Sequence, residues 1–155
     1  MRRRAAKIRK IIPDAKYNEI IVSRFVNRLM NDGKKSVVEK AIYEAFDNLE
    51  KKIKKSPIDI FKEALENVTP KVEVRSRRIG GATYQIPVEV SQRRGSALAL
   101  KWLKTAIENI KGRELSNKVV TVVLESLENK GWAAKKKEEV FKMAEANKAF
   151  AHYRW

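Results

Sequence analysis

The sequence predicts a mainly α fold: a single helical domain of about six helices with a protruding two-stranded β-hairpin arm and basic extensions at both termini. Three observations predict it. Apolar residues recur at helical spacing over most of the chain. One short segment alternates instead and carries a Gly-Gly turn signal. And 155 residues with 43% hydrophobic content can close one core but hardly two. The whole of 1–155 is therefore read as one domain, with a basic arm at 1–16, a hairpin arm at 71–90 and a tail at 148–155.

Between Tyr17 and Asn31, Ile21, Phe25 and Leu29 lie four apart with Val22 and Val26 beside them, the apolar stripe of a core-packed helix, and Asp32-Gly33 ends it. Ser36 with Glu39 three residues on has capping-box spacing, and Val38, Ile42, Ala45, Leu49 and Ile53 continue a second helix. Ser56-Pro57 starts a third, because proline suits the first helical turn; Phe61, Ala64, Leu65 and Val68 line its buried side until Pro70. After the hairpin, Ser96 to Ile110 repeats Ala99, Leu103 and Ala106 or Ile107 before Gly112. Leu115 to Asn129 contains a β-branched run, Val119 to Val123, that also suits a strand. The spacing of Val120, Val123 or Leu124, and Leu127 decides for a helix, which Asn129-Lys130-Gly131 stops. Ala133 to Phe150, rich in Ala, Lys, Glu and Met, forms the last helix.

Residues 71–90, KVEVRSRRIGGATYQIPVEV, are the one clear β segment. A two-residue Gly80-Gly81 loop sets Val72 opposite Glu89 and Val74 opposite Pro87, scattering apolar side chains over both faces. A three-residue loop, Gly80 to Ala82, instead pairs Val72 with Val90 and Val74 with Val88 in one apolar strip, at the cost of facing Glu73 with Glu89. The three-residue loop is therefore expected. Pro87 argues for an exposed ribbon, whose tip reaches roughly 26 Å if it stands clear.

The chain carries 35 Lys and Arg against 19 Asp and Glu, a net charge of +16, which implies a polyanionic partner. That charge is segregated. Residues 1–16 hold seven bases against Asp14 alone, residues 71–95 hold six against two acids, and residues 130–155 hold seven against three. Residues 17–70 and 96–129 are each within one charge of neutral and read as scaffold. No apolar run approaches the roughly 18 residues of a membrane span. The Met-Arg-Arg-Arg start is followed by AAKIRKIIPDAK, too charged for a secretory h-region; an Arg-rich transit peptide is the alternative to a mature arm. Zero cysteine fits a reducing compartment, with the cytoplasm as the default.

Candidate RNA-binding residues follow from the excess charge: Arg2, Arg3, Arg4, Lys7, Arg9 and Lys10 in the arm; Arg75, Arg77 and Arg78 on the ribbon; Arg93 and Arg94 after it. Guanidinium pairs with phosphate and stacks on bases, and Tyr84 can stack too. Lys34-Lys35 is weak alone, and Lys135-Lys136-Lys137, beside Glu138 and Glu139, reads equally as a solvated helix turn. Trp102 and Trp132 read as core or interface anchors. Enzyme chemistry is thinly supplied: His152 is the single histidine and lies in the tail, the acids fall among lysines as Glu39 does with Lys35 and Lys40, and Gly80-Gly81 lacks the spacing of a phosphate loop. No catalytic residue, metal or cofactor is expected. A DNA-architectural module and a nuclease using His152 are the competing classes, to be separated by competition with random duplex DNA and by replacement of His152.

Three stretches carry a resemblance. FVNRLMNDGKKSVVEKAIYEA (25–45), VEVRSRRIGGATYQIPVEV (72–90) and ENKGWAAKKKEEVFKMAEANKAFAHYRW (128–155) closely resemble the bacterial-type small-subunit ribosomal protein seven family, in order and spacing over nearly the whole chain. The resemblance implies a non-catalytic constituent of the cytoplasmic small ribosomal subunit that binds the 3′ major domain of 16S ribosomal RNA and nucleates assembly of the subunit head. It also implies a place near the exit site, where the tip residues Arg77, Arg78, Gly80, Gly81 and Tyr84 approach transfer and messenger RNA. Implied neighbours are head proteins nine, thirteen and nineteen and platform protein eleven. Residues 105–124 follow the family loosely, and Trp132 stands where a small residue is expected.

Overall fold

The computed structural model describes Arg4 and residues 10–153. In chain order these form α1 (Ile20–Leu29), α2 (Lys35–Ile53), α3 (Pro57–Val68), β1 (Val72–Ile79), β2 (Ala82–Glu89), α4 (Gln92–Asn109), α5 (Leu115–Leu127), α6 (Gly131–Ala146) and a terminal 3-10 helix (Lys148–Tyr153). The predicted mainly helical fold with one antiparallel hairpin is the observed one.

The core lies where the stripes of α1 to α5 meet. Phe25, Phe46 and Phe61 are fully buried, with ring centroids 4.9 Å apart for Phe25–Phe61 and 5.5 Å for Phe46–Phe61. Trp102 joins this core as expected, whereas Trp132 on α6 is 37% exposed. The valine run of α5 buries Val119, Val120, Val122 and Val123, so spacing outweighed β propensity there. α6 is different in kind: only Ala133 and Ala144 are buried, and it lies against the ribbon base as well as the helical body.

Four expectations need correction. α2 begins at Lys35 with Lys34 at the N-cap and no side-chain cap bond, so Ser36 lies inside the first turn and is not the cap. α4 begins at Gln92 rather than Ser96, which places Arg93 and Arg94 on a helix. The polar Gln92-Arg93-Arg94-Gly95 start carries no apolar periodicity to reveal it. The last helix breaks at Asn147, whose amide Nδ2 donates to the Met143 carbonyl at 2.8 Å, and the chain tightens into the 3-10 helix.

The fourth correction is the hairpin register. Val72 faces Glu89, Glu73 faces Val88, Val74 faces Pro87 and Arg77 faces Tyr84, with Gly80 and Gly81 alone in the loop. Both glycines have positive φ, +56° and +89°, the requirement of the two-residue turn whose twist matches the strands. The single apolar strip assumed that one face meets water. Near the base both faces bury side chains: Ile86 is fully buried and its neighbour Pro87, on the opposite face, is buried too. The Glu73–Glu89 opposition never arises. Nor does the ribbon stand clear along its length, because the 3-10 helix packs on β2.

Candidate nucleic-acid interface

A groove of about 720 Å³ runs between α1 and α4. Arg24 and Arg28, one turn apart on α1, face Arg93, Lys101 and Lys104 on α4, and Glu108 is the one acid among the described lining residues. Helical spacing produces this: Arg93, Lys101 and Lys104 project from α4 away from the stripe of Ala99, Leu103, Ala106 and Ile107 that the core takes up. Lys104 is steadied by Glu108 at 3.5 Å and by the Asn31 Oδ1 at 3.2 Å. A concave floor with five cations and one acid suits a phosphate backbone.

At one end of α4 the ribbon base begins. Glu73, only 8% exposed, accepts from the Arg75 Nε at 2.6 Å through one carboxylate oxygen and from the Arg94 Nε at 3.1 Å through the other. Burial pushes the Glu73 carboxyl up, but the two guanidiniums together outweigh it and hold the group below the ordinary carboxylate value. Towards the tip, Tyr84 packs against Phe150 and Tyr153 at centroid distances of 5.2 and 5.7 Å, and the Arg77 guanidinium donates to the Tyr153 carbonyl at 2.6 Å. Residues 148–153 are thus a strap on the ribbon.

The family is decided by the match of residues 1–148 to the family model described as ribosomal protein S7p/S5e. The chain belongs to that family. It is 51% identical over 154 residues, 99% of each chain, to the small ribosomal subunit protein uS7 of Ruegeria pomeroyi. The proteins of the same name from Thermosipho africanus and Thermotoga petrophila are 50% and 48% identical over 155 residues, the full length of both chains. As a member of the S7p/S5e family it is an RNA-binding structural constituent of the small ribosomal subunit, located in the cytoplasmic ribosome, and not an enzyme.

Within this S7p/S5e scaffold the expected RNA-binding residues fall into separate groups. Arg93 lies in the α1–α4 groove, and Arg75 and Arg94 meet on Glu73 beside it. Arg78, Gly80 and Gly81 are exposed at the tip. Lys34 and Lys35 are exposed at the start of α2, with Lys35 paired to Glu39 at 3.3 Å. The lysine triplet divides: Lys135 is exposed, Lys136 pairs with Glu139 at 2.7 Å, and the Lys137 ammonium donates to the Asn67 carbonyl at the end of α3 at 2.6 Å. Burial and the nearby charge of Lys71 lower the Lys137 pKa. In the N-terminal arm Arg4 and Lys10 are exposed, while Arg2, Arg3, Lys7 and Arg9 lie outside the described residues. Asp14 is buried and accepts from the backbone amides of Lys16 and Tyr17, both at 3.1 Å, and from the Tyr43 hydroxyl at 2.9 Å, pinning the end of the arm to α2.

Segment charges missed Arg24, Arg28, Lys101 and Lys104, because their blocks are neutral on average. The signal was there: Arg24 and Arg28 are four apart on the polar side of α1, and Lys101 and Lys104 three apart on that of α4.

Proposed function

We propose that the α1–α4 groove and the adjoining ribbon base bind the 3′ major domain of 16S ribosomal RNA, and that this contact nucleates assembly of the subunit head. The observation that carries the reading is the concentration of Arg24, Arg28, Arg93, Lys101 and Lys104 against Glu108 in one concave surface, with Arg75 and Arg94 beside it. The N-terminal arm, Lys34, Lys35 and Lys135 to Lys137 add contacts around that seat. Arg78, Gly80 and Gly81 at the tip approach transfer and messenger RNA at the exit site, and Arg77 and Tyr84, which the strap contacts, lie beside them. The resemblance supports proteins nine, eleven, thirteen and nineteen as neighbours.

Salt tests the reading. With some six to ten phosphates engaged, affinity for a 3′ major domain fragment falls by orders of magnitude between about 50 and 200 mM salt. A flat response refutes it. Arg24→Ala and Arg28→Ala each lower the slope of log affinity against log salt by about 1. Replacing Arg77 and Arg78 by Ala weakens exit-site contacts more than head assembly; failure of subunit reconstitution with that variant contradicts the division of labour between base and tip.

A further inference from the structure

We propose that Glu73 is a positioning residue for RNA: by bridging Arg75 of the ribbon and Arg94 of α4 it fixes the angle between ribbon and groove, so that both basic surfaces engage one RNA as a rigid pair. The inference rests on the RNA reading above and adds a role for an acid that a charge count assigns to the wrong side of the balance.

The geometry carries it. Glu73 is nearly buried, and a buried carboxylate costs several kcal/mol unless its oxygens are well paired. Here each oxygen is paired to a different element, one to the ribbon and one to the helix that supplies Arg93, Lys101 and Lys104 to the groove. The side chains of Arg75 and Arg94 remain 48% and 54% exposed, so each guanidinium keeps further donors for phosphate while Glu73 holds it in place. The same junction is closed by backbone: the Val90 amide donates to the Lys71 carbonyl at 3.0 Å, and a Cβ on Gly95 would lie 2.9 Å from the Thr69 methyl. Among the described residues, it is the Glu73 carboxylate that ties the two cations themselves. A two-stranded ribbon is marginal by itself, so its direction is set by such ties together with the packing of α6 and the 3-10 helix against its strands.

Charge and position predict opposite signs, which makes the test sharp. Glu73→Gln raises the net charge by one. If Glu73 acted only as charge, the variant would bind the 3′ major domain fragment more tightly, by one more released counterion. Positioning predicts weaker binding, by about tenfold, because two surfaces held at a fixed angle bind with an effective concentration that a swinging ribbon loses. The chain has no cysteine, so Thr83→Cys and Asn109→Cys take spin labels at two exposed sites on the ribbon and the end of α4. Pulsed dipolar spectroscopy of the free protein is expected to give one narrow distance with Glu73 and a broadened one with Gln. Equal or tighter RNA binding, or an unchanged distance distribution, overturns the proposal. Should Glu73→Gln lower the folded fraction, Arg94→Lys at an exposed position decides the matter from the α4 side: it keeps the charge but replaces the planar fork with a point charge, and it is expected to broaden the same distance. If the unaltered protein showed no salt-dependent RNA binding, the RNA reading would fail, while the distances would still judge whether Glu73 fixes the ribbon.

Discussion

Gly95→Ala is the substitution in which helix propensity and packing disagree most directly. Gly95 lies within α4, where alanine is ordinarily better by about 0.8 to 1.0 kcal/mol. Its added Cβ, however, would lie 2.9 Å from the Thr69 Cγ2 and 3.3 Å from the Pro70 carbonyl oxygen. Carbon atoms prefer about 3.5 to 4.0 Å, so the first contact is short by roughly 0.6 to 1 Å. Thr69 cannot swing its methyl away cheaply, since its hydroxyl donates to the Leu65 carbonyl at 2.7 Å. Breaking that bond forfeits about 0.5 to 1.5 kcal/mol. The alternative is for the first turn of α4 to move off the junction between α3 and β1, an overpacking cost of about 1 to 3 kcal/mol. The balance is a destabilisation between roughly zero and 2 kcal/mol, read as a lower urea midpoint at constant m-value. Because Arg93 and Arg94 ride on that turn, RNA affinity falls as well. A variant more stable than the parent by the full propensity gain, with unaltered RNA binding, would show that the close approach does no positioning.

Asp14→Ala removes the acceptor of three hydrogen bonds at a buried site and is expected to cost about 1 to 3 kcal/mol, measured by urea unfolding. Burial, reinforced by the hydrogen bond to Asp14, pushes the Tyr43 phenol up from 10.0 to about 12. A raised pKa stabilises the folded state fully below the ordinary value and loses that contribution as pH rises through about 12. Phenolate absorbance, differenced against Tyr43→Phe, should place this ionisation above the ordinary tyrosine range, and Asp14→Asn should bring it down. Phe61→Ala, in the ring cluster with Phe25 and Phe46, is expected to cost about 3 to 5 kcal/mol in the same urea assay; a cost under about 1 would mean the cluster collapses around the void. Ending the chain after Asn147 removes Phe150 and Tyr153 from Tyr84, and amide exchange in residues 77–84 should quicken while exchange in α2 and α3 stays unchanged.

Helix identity was legible wherever the apolar stripe was long, as in α2 and α3, and even in α5 against its β-branched run. Boundaries failed where the physical cause was not in the stripe. α4 starts on residues with no apolar side chain, and its glycine is explained only by Thr69 and Pro70, distant in sequence. The hairpin register failed for a related reason. Alternation predicts register only if one face is solvated, and nothing in 71–90 announces that α6 and the 3-10 helix pack against the strands. The turn chemistry, two adjacent glycines, was the better guide.

The same lesson applies to charge. A linear window averages over all faces of a helix, whereas RNA meets one face. Residues 17–70 balance to within one charge because Arg24 and Arg28 on α1 are offset by acids such as Glu44, Asp47 and Glu63, which lie on α2 and α3 and none of which lines the groove. Summing along the chain therefore hid a groove lined by five cations and singled out segments such as 130–155, where Lys136 and Lys142 are paired to acids within one turn and Lys137 is bound to the α3 carboxyl end. Glu73 has the same bearing: its negative charge counts against RNA binding in any sum, yet it is ion-paired to Arg75 and Arg94, two of the cations proposed for binding.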